Sequence, residues 1–582
     1  MQVAINKLIE LGAISSCMQS HDQFISKIFL APKTNGGKRF ILNLKSLNKF
    51  ITNTHFKMED HRTASKLIPQ GGFLATIDLK EAYLLVPISK YDRKYLRFNF
   101  QAPGSETLQT YEFNAMPYGL CVAPRVFTKI MKEVIAYLRR RGYKSVIYLD
   151  DILCIGNSYK ECSDNVRETL KLLECLGFVV NYEKSSLIPS QTCKFLGFVY
   201  NTHDMALSLP TEKRHTINQL VEKFQKLPKC TIREFAHLIG VLIAACPAVR
   251  YGFLYTKLLE RQKFLALQHN LNNYESKIRM SESVLDDLNW WQSHIFTASC
   301  PIVNQNFKRE IYTDASRTGW GAVCGNERVH GRWKTTESKY HINYLELLAI
   351  FLGLKSFASN DSNYTILLRV DNTTAISYIN RLGGIQFPHL NDLARNIWQW
   401  CETRNLWLFA SYVNTKDNHA DVESRKINPD TEWELSDRAF RMIKKNFGCP
   451  DIDLFASRDN AKCDLFVSWK QEPDAHAVDA FTLDWKTKYF YAFPPFSLVL
   501  KCLRKIIEDD AKGILVFPHW CSQPWYPLLQ NLLDSHILYL NPNKFLLQSH
   551  FRECHPLHAK LTLGVARLCG RRSHAVESRL TH

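Results

Sequence analysis

Several features common in other protein classes are missing from this 582-residue chain. None of its 17 cysteines forms a CxxC pair with another, which argues against a disulfide framework, a zinc ribbon or a zinc knuckle. No stretch approaches the ~20 consecutive apolar residues that a membrane span needs, and residues 1–10 predict an amphipathic helix rather than a signal peptide. We therefore expect a soluble intracellular protein, cytoplasmic or nuclear and not secreted, with no membrane partner and with reduced thiols.

Acidic side chains are also in short supply. Asp and Glu number 56 against 74 Lys and Arg, which gives a net charge of +18. A basic surplus of this size suits a polyanionic partner, although a basic protein without such a ligand is the alternative on charge alone. The length indicates about three to five domains at roughly 100–200 residues each, and 46% hydrophobic residues are enough for several cores.

The most informative segment that is present consists of Tyr148, Leu149, Asp150 and Asp151. Apolar runs flank it on both sides, so the pattern predicts a hairpin with the two Asp residues at its two-residue tip. Adjacent carboxylates inside an apolar segment are costly unless they are paired or bound to a metal. Mg²⁺ is the natural partner, because it takes one or two carboxylates together with substrate phosphates. A plain surface turn is the alternative for this motif taken alone.

Two upstream segments precede this motif in a fixed order. An apolar strand ends in Asp78 and is followed by a helix start, and a Gly/Pro-punctuated turn at 116–124 runs into a predicted helix over 125–139. The ordered set resembles the palm of reverse transcriptases, with Asp78 in the A motif, Gly119 in the B motif and Asp150 in the C motif. The resemblance covers residues 1–300 and implies a right-hand fold of fingers, palm and thumb.

That resemblance implies an RNA-directed DNA polymerase that uses an RNA template, a DNA primer and dNTPs. Asp78 and Asp150 would hold two Mg²⁺ ions, with Mn²⁺ as an alternative, and Asp151 would be a neighbouring, more structural member of the metal site. Tyr83 would be the aromatic gate that excludes a ribose 2′-hydroxyl; its alternative is a core aromatic on a helix.

The same resemblance assigns further contacts. Residues 32–44 predict a strand, a glycine turn and a second strand with a basic tip; this segment resembles the fingers, and a solvated hairpin is the alternative. The D and E motifs lie at 176–185 and 195–198. Tyr118 stands where the family often has Gln or Phe, so it can stack on the nucleotide without the usual hydrogen bond. The implied dNTP contacts are Arg39, Lys33 (or Lys38), Tyr83, Tyr118, Gly119 and Lys184, and the implied primer grip is Phe195, Leu196 and Gly197.

Residues 205–305 change to a helical pattern, which the resemblance places at the thumb and connection. Thr231 followed by Glu234 predicts a capping box that opens an apolar helix. The apolar residues before it recur at helical spacing. They are Ile217, Leu220, Val221, Phe224 and Leu227.

Beyond residue 306 the pattern becomes α/β again. Carboxylates follow apolar strands or open helices in the order Asp314, Glu346, Asp371 and Asp421. This set resembles ribonuclease H, over residues 306–430, and implies two further Mg²⁺ ions and cleavage of the RNA strand of an RNA–DNA hybrid. One departure is that no His precedes Asp421 at the family's usual distance, since His419 is too close.

Residues 448–582 resemble the phage-type adenine-N6 methyltransferase domain of DIRS-like retrotransposons. The resemblance rests on residues 451–460 and 489–496. In active members an Asp, Asn or Ser before the two prolines accepts a hydrogen bond from the target amine. Phe493 occupies that position and cannot accept one, so we expect no catalysis here. Trp520, Trp525 and Tyr526 could stack on bases, with core aromatics as the alternative.

Together these segments resemble the pol polypeptide of a DIRS-like retrotransposon, a multidomain α+β and α/β protein. No aspartic-protease D-[ST]-G motif and no integrase zinc cluster occur, and a tyrosine recombinase partner would be encoded separately or be absent. The alternatives are a domesticated or degenerate nucleic-acid-binding protein without catalysis, and a group II intron maturase or telomerase-like polymerase, which lack a following ribonuclease H. The expected boundaries are 1–204 for fingers and palm, 205–305 for the thumb and connection, 306–430 for ribonuclease H, 431–447 for a linker and 448–582 for the last domain.

Overall fold

The computed structural model describes residues 1–32, 38–52, 54–104, 107–302, 307–426, 433–549 and 553–571. Lys33 lies outside these ranges. The chain divides into two units, Met1–Gln305 and Asn306–His582. None of the helices in the described ranges is long and apolar enough to cross a membrane.

The first unit contains mixed helices and short strands. Its α-helices are α1 (Gln2–Glu10), α2 (His61–Leu67), α3 (Ala123–Arg140), α4 (Tyr159–Cys175), α5 (Thr211–Lys226), α6 (Ile232–Ala245), α7 (Lys257–His269) and α8 (Glu282–His294). Its strands are β1 (Ile14–Cys17), β2 (Ile28–Pro32), β3 (Lys38–Leu42), β4 (Phe73–Asp78), β5 (Arg97–Gln101), β6 (Leu108–Phe113), β7 (Lys144–Tyr148), β8 (Asp151–Gly156), β9 (Ser186–Ser190), β10 (Thr192–Phe195), β11 (Phe198–Asn201), β12 (Ala206–Ser208), β13 (Cys230–Thr231), β14 (Lys277–Ile278) and β15 (Ser299–Pro301).

A four-stranded antiparallel sheet of order β7-β8-β4-β9 is the platform of this unit. Helix α3 packs on β7 and α4 on β8. Apolar residues spaced three and four apart give α3 a single buried face, and the helix predicted over 125–139 is thereby confirmed. That face consists of Phe127, Met131, Val134, Ile135 and Leu138.

The predicted hairpin is present, but its tip is displaced by one residue. Tyr148 pairs with Asp151, so the two-residue loop is Leu149 and Asp150 rather than the Asp pair. Leu149 has a φ of +55°, a conformation that two-residue hairpin loops use because it matches the twist of the strands. Asp151 therefore begins β8 and lies directly opposite Asp78 on β4.

The segment predicted to be helical holds α5 to α8, and its capping box is confirmed. Thr231 accepts a hydrogen bond from the Glu234 amide, and the Glu234 carboxylate accepts one from the Thr231 amide. The segment is not purely helical, because β12 and β15 extend the β10–β11 hairpin into a four-stranded sheet.

The second unit carries two sheets. Its helices are α9 (Ile342–Phe357), α10 (Thr373–Asn380), α11 (Pro388–Glu402), α12 (Asp421–Ser424), α13 (Asp437–Phe447), α14 (Val499–Glu508) and α15 (Tyr526–Asn531). Its strands are β16 (Phe307–Ala315), β17 (Gly319–Cys324), β18 (Glu327–Arg332), β19 (Thr365–Val370), β20 (Trp407–Tyr412), β21 (Glu434–Leu435), β22 (Ile452–Asp453), β23 (Leu465–Ser468), β24 (Ala477–Val478), β25 (Phe490–Ala492), β26 (Lys512–Pro518), β27 (Leu538–Leu540), β28 (Leu547–Gln548) and β29 (Leu563–Cys569).

The first sheet of this unit has the order β18-β17-β16-β19-β20. Strands β16, β19 and β20 are parallel, and β17 and β18 run antiparallel to them. Helix α9 is apolar on nearly every side because it packs between this sheet and helices α10 and α11. The carboxyl ends of the parallel strands lie at one edge of the sheet.

The second sheet has the order β24-β23-β22-β25-β26-β29-β27, in which β24 to β26 are parallel and β29 is antiparallel. Strands β23 and β24 lie on one side of β22, and strands β25 and β26 lie on its other side. Strand order thus reverses between these two strands, and in open α/β sheets such a switch point opens a crevice at their carboxyl ends.

The expected linker at 431–447 is wrong for its described part. Ser436 caps α13, whose apolar residues Phe440, Ile443 and Phe447 join the core of the second sheet. Strand β21 pairs with β28 of the same domain. The helical spacing of these apolar residues, directly after an N-cap serine, was the sequence signal for an integral helix.

Candidate active sites

Three carboxylates of the first unit meet at one edge of the β7-β8-β4-β9 sheet. Asp78 ends β4 opposite Asp151, and the Leu79 amide donates to the Asp150 carbonyl at 2.9 Å. Asn181 Nδ2 donates to Asp78 Oδ1 at 2.8 Å, and the Asp78 amide donates to Ser185 Oγ at 3.0 Å. Two residues of the predicted D motif, Asn181 and Ser185, are therefore hydrogen-bonded to Asp78 and position it. The sequence did not reveal this role.

The electrostatics of this edge favour a bound cation. Burial, followed by the charges of the neighbouring Asp150 and Asp78 carboxylates, raises the pKa of Asp151 to about 6. Burial also raises the pKa of Asp150, which Lys184 and Arg39 partly offset. Like-charged oxygens without enough compensation are the donor set that a hard divalent cation accepts, so these residues fit Mg²⁺.

The predicted nucleotide contacts form an aromatic and basic wall beside the carboxylates. The Tyr83 and Tyr118 ring centroids are 5.2 Å apart, and the Arg39 guanidinium lies 5.6 Å from the Tyr118 ring centroid. Burial, followed by the Asp150 charge, raises the pKa of Tyr83 to about 12. Tyr83 is half-buried and also packs against Phe127, so it combines the gate position with a core contact.

The B-motif turn is held by a residue that the sequence analysis did not single out. Asn48 Nδ2 donates to the Gly119 carbonyl at 2.9 Å, and the Cys121 amide donates to Asn48 Oδ1 at 3.0 Å. Gly119 has a φ of +97°, which a side chain rarely tolerates. Asn48 thereby fixes the turn next to Tyr118.

The predicted primer grip divides into a core part and a surface part. Phe195 is 3% exposed and belongs to the interior of the β10–β11 hairpin, so its side chain is not available to a primer. Leu196 and Gly197 form the hairpin tip with positive φ values. Lys213 Nζ lies 5.1 Å from the Phe198 ring centroid and adds a cation beside that tip.

In the second unit, Asp314, Glu346 and Asp371 converge. They are, within the described parts of the chain, the group of three acidic or metal-ligating residues whose ligand atoms all lie within 4.8 Å of one another. Asp314 lies near the end of β16 and Asp371 directly follows β19, while α9 carries Glu346 across from them. Parallel neighbouring strands bring the two Asp residues to the same sheet edge.

Glu346 is the most perturbed of the three. Burial, followed by the charges of Asp314 and Asp371, raises the pKa of Glu346 to about 9. Its Oε2 atom is buried and has no hydrogen-bond partner among the described residues. Glu346 thus has a buried carboxylate oxygen without a hydrogen-bond partner among these residues, close to two further carboxylates. This arrangement fits the binding of a divalent cation.

The fourth predicted carboxylate, Asp421, does not join this close group. It begins α12 and forms an ion pair with Arg425 at 2.6 Å, although its charge still raises the pKa of Asp314. The sequence analysis missed two hydroxyls. Ser424 Oγ donates to Asp314 Oδ2 at 2.5 Å, and Thr415 Oγ1 donates to Asp371 Oδ2 at 2.7 Å.

The switch point of the second sheet brings together both segments noted in the sequence. Asp453 ends β22 and is fully buried; burial raises its pKa to about 6, and it accepts hydrogen bonds from the Phe455 and Lys462 amides. Phe493 follows β25 and contacts Phe496, 6.4 Å between ring centroids. An apolar ring thus occupies the position of the expected hydrogen-bond acceptor.

Two family models match parts of this chain. Residues 31–200 match the family model described as reverse transcriptase (RNA-dependent DNA polymerase). The chain contains a reverse transcriptase domain. Residues 423–546 match the model described as DNA N-6-adenine-methyltransferase (Dam), which extends across α13 into the second sheet. The reverse transcriptase match covers the palm carboxylates, the aromatic wall and most of the fingers.

Curated relatives are viral polyproteins. The chain is 24% identical over 448 residues to the "Enzymatic polyprotein" of Cauliflower mosaic virus (strain Strasbourg), covering 73% of this chain and 60% of the relative. It is 22% identical over 398 residues to the "Putative enzymatic polyprotein" of Cassava vein mosaic virus, covering 64% and 57%. The chain thus spans about 60% of the length of such relatives.

Solved structures give weaker similarity. A foamy viral protease-reverse transcriptase in complex with dsDNA aligns with a TM-score of 0.45 and 17% identity, covering 71% of this chain and 82% of that one. The same viral enzyme with an RNA/DNA hybrid aligns with a TM-score of 0.44 and 15% identity, covering 74% and 55%.

The perturbed Glu346 generates a stability prediction. Its raised pKa means that the folded, metal-free protein keeps a proton that the unfolded chain releases, so this contribution to stability is lost as pH rises from about 4.5 toward 9. In Mg²⁺-free buffer at about pH 8, Glu346→Gln should therefore raise the melting temperature of the second unit, and the gain should shrink at low pH. Mg²⁺ should stabilise the wild type much more than the variant.

Differential scanning fluorimetry across this pH range, with and without Mg²⁺, measures the effect. Glu327→Gln, an exposed position on β18, is the matched control and should show neither the pH-dependent gain nor the loss of Mg²⁺ response. If Glu346→Gln and the control behave alike, the burial argument for Glu346 is wrong.

Proposed function

We propose that this chain is an RNA-directed DNA polymerase with ribonuclease H activity, from the pol polypeptide of a DIRS-like retrotransposon. The observation that carries the proposal is the meeting of Asp78, Asp150 and Asp151 at one sheet edge, inside a reverse transcriptase domain. Its substrates would be dNTPs, an RNA template and a DNA primer. The basic surplus of the chain suits these polyanions.

In the polymerase site, Asp78 and Asp150 would hold two Mg²⁺ ions, which activate the primer hydroxyl and stabilise the leaving pyrophosphate. Arg39 and Lys184 place positive charge beside Asp150, where the triphosphate would lie. Tyr118 offers a ring for stacking on the nucleotide. Asp151, opposite Asp78, completes the negative field of the site.

In the ribonuclease H site, Asp314, Glu346 and Asp371 would hold the divalent ions that activate a water for attack on the RNA phosphodiester. Ser424 and Thr415 orient the Asp314 and Asp371 carboxylates through their hydroxyls. Asp421 is tied to Arg425, so this ion pair has to open before Asp421 can act as a ligand. The hybrid is distinguished from duplex DNA by the 2′-hydroxyl of its RNA strand.

The retrotransposon assignment rests on the order of the domains. A reverse transcriptase match is followed by the carboxylate triad and then by a Dam-family match, the order expected for DIRS-like elements. A separately encoded tyrosine recombinase would be the partner for integration. The rival hypothesis is a degenerate nucleic-acid-binding protein without catalysis. Six carboxylates are intact across the two sites, and this argues against the rival hypothesis, because loss of selection on catalysis would be expected to remove at least one of them.

The two metal sites should be separable by mutation. Asp150→Asn removes a polymerase ligand, so DNA synthesis should fall by at least ~100-fold while hybrid binding, which depends on basic phosphate contacts, remains. Asp371→Asn should show the reverse pattern, with hybrid cleavage lost and DNA synthesis unchanged. Primer extension on an RNA template and cleavage of a labelled hybrid, run on both variants, measure this. Extension by Asp150→Asn within threefold of wild type would refute the metal assignment.

Sugar selection generates a further prediction. Tyr83→Ala should increase ribonucleotide incorporation relative to deoxyribonucleotide incorporation, because the ring that blocks the 2′-hydroxyl is removed. Steady-state incorporation of a matched ribonucleotide and deoxyribonucleotide gives the ratio of efficiencies. Tyr83→Phe keeps the ring and should leave that ratio near the wild-type value. An unchanged ratio in the Ala variant would make Tyr83 a core residue only.

The Dam-family domain is proposed to lack methyl transfer. Phe493 offers no acceptor to an adenine amine, so transfer of a labelled methyl group from S-adenosylmethionine to DNA should be undetectable. The Phe493→Asn variant supplies an acceptor and tests whether that one position is the only defect. Methylation by the wild-type chain that disappears in Pro494→Ala would contradict the proposal.

A further inference from the structure

The loop that follows β22 contacts the neighbouring sheet of the second unit through one side chain. Arg458, five residues beyond Asp453 at the switch-point edge, donates from Nη2 and Nη1 to the two carboxylate oxygens of Glu337 at 2.6 and 3.1 Å. Its side chain is 10% exposed and that of Glu337 16%. Glu337 lies in the turn that leads into α9 of the ribonuclease H-like fold, so a nearly buried ion pair joins the two sheets of the second unit.

The other end of α9 is held from the same side. Lys355 Nζ pairs with Asp474 at 2.5 Å, and Gln471 Nε2 donates to the Ser356 carbonyl at 2.8 Å. Asp474 also lies 3.8 Å from Arg458 Nε and so bridges the two attachments. We call Arg458, Gln471 and Asp474 the clamp. These residues contact the turn before α9 and the last turn of α9.

The held turn connects directly to the carboxylate triad. Glu337 Oε2 also accepts from the Lys334 amide at 2.9 Å, which closes the turn. At its start Trp333 Nε1 donates to the Ser316 carbonyl at 2.8 Å, two residues beyond Asp314. At its end Tyr340 stacks on Tyr344 of α9, 4.1 Å between ring centroids. Arg458 therefore acts on the turn between β18 and α9, which is hydrogen-bonded to Ser316 beyond the strand of Asp314 and leads into the helix of Glu346.

The clamp would oppose the repulsion among the three carboxylates. Three carboxylates within 4.8 Å repel one another when all of them are ionised, as binding of a divalent cation requires, and this repulsion opposes the close approach of α9, which carries Glu346, to β16 and β19. The nearly buried Arg458–Glu337 pair opposes that displacement at one end of α9, because opening it would leave Arg458 without its bidentate partner in the interior, and the more exposed Lys355–Asp474 pair attaches the other end. Ligands held at the right separation bind metal more tightly.

We propose that the Dam-family domain functions as a positioning domain for the ribonuclease H site, with Arg458 as the positioning residue that sets α9 through Glu337. The inference rests on the proposed ribonuclease H function of that site. It gives the C-terminal domain a task that needs no methyl transfer.

The first test compares two variants with the wild type in the full chain. Arg458→Ala should raise the Mg²⁺ concentration for half-maximal hybrid cleavage by about tenfold or more, as for lost outer-shell support of a metal ligand. DNA synthesis by the same preparation should stay within about twofold of wild type, since Arg458 lies outside the first unit. Arg567→Ala is the matched control, because it removes an Arg–Asp pair, with Asp534, within the same domain but outside the clamp.

Charge reversal separates positioning from general damage. Arg458→Glu should behave like Arg458→Ala, and adding Glu337→Arg should restore the Mg²⁺ dependence toward wild type. If Arg458 variants fail to fold, Asp474→Asn is the milder substitution, since residue 474 has a φ of +66° that Asn tolerates. It should raise the Mg²⁺ requirement in the same direction.

Hydrogen–deuterium exchange provides a readout that needs no activity. Exchange in residues 334–346 should rise in Arg458→Ala and Asp474→Asn and stay unchanged in Arg567→Ala. Unchanged exchange together with an unchanged Mg²⁺ requirement would overturn the clamp. A wild-type chain whose hybrid cleavage equals that of Asp371→Asn would instead refute the ribonuclease H function, while the exchange experiment still decides whether the clamp exists.

Discussion

Repulsion among clustered carboxylates is the constraint on which both candidate sites depend. In the first unit Asp150 and Asp151 have raised pKa values next to Asp78, and in the second unit Glu346 is pushed furthest by burial and by two Asp neighbours. A folded chain keeps such groups together only if its backbone is held firmly and a proton or a cation neutralises part of their charge. Both sites use oxygen donors alone, which favours Mg²⁺ over softer metals.

The two units meet that constraint with different scaffolds. In the reverse transcriptase domain, Asp78 and Asp151 lie directly opposite each other in an antiparallel pairing, so that hydrogen-bonded strands fix their separation. In the first sheet of the second unit, helix α9 instead faces two parallel strands, and no strand pairing holds a helix in place. Its ligand separation therefore depends on packing and on the ion pairs at the two ends of α9.

Negative charge is handled differently at the third location. Asp453 is buried at the switch point, but two backbone amides donate hydrogen bonds to it and the Lys462 charge lowers its pKa. Phe493, which follows the neighbouring strand β25, is apolar and cannot accept a hydrogen bond. The domain has the strand order of an open α/β sheet with a switch point. Arg458, in the loop after β22, is hydrogen-bonded to Glu337 in the neighbouring fold.

The sequence by itself predicted the candidate ligands and determined several local elements. Asp78 and Asp371 were predicted from apolar strands that end in carboxylates, Asp150 from a hairpin tip and Glu346 from an amphipathic helix, and the Thr231 capping box follows from local spacing. Only the tertiary structure decided the one-residue shift of the hairpin tip, the burial of Phe195, the diversion of Asp421 to Arg425 and the integral helix α13. The physical reason is that periodicity and capping depend on neighbours along the chain. Burial and the partner of a charge such as Arg458 depend on segments far apart along the chain, as the separation of 121 residues between Glu337 and Arg458 illustrates. Even between near neighbours, such as Tyr148 and Asp151 or Asp421 and Arg425, spacing alone does not choose among the possible pairings.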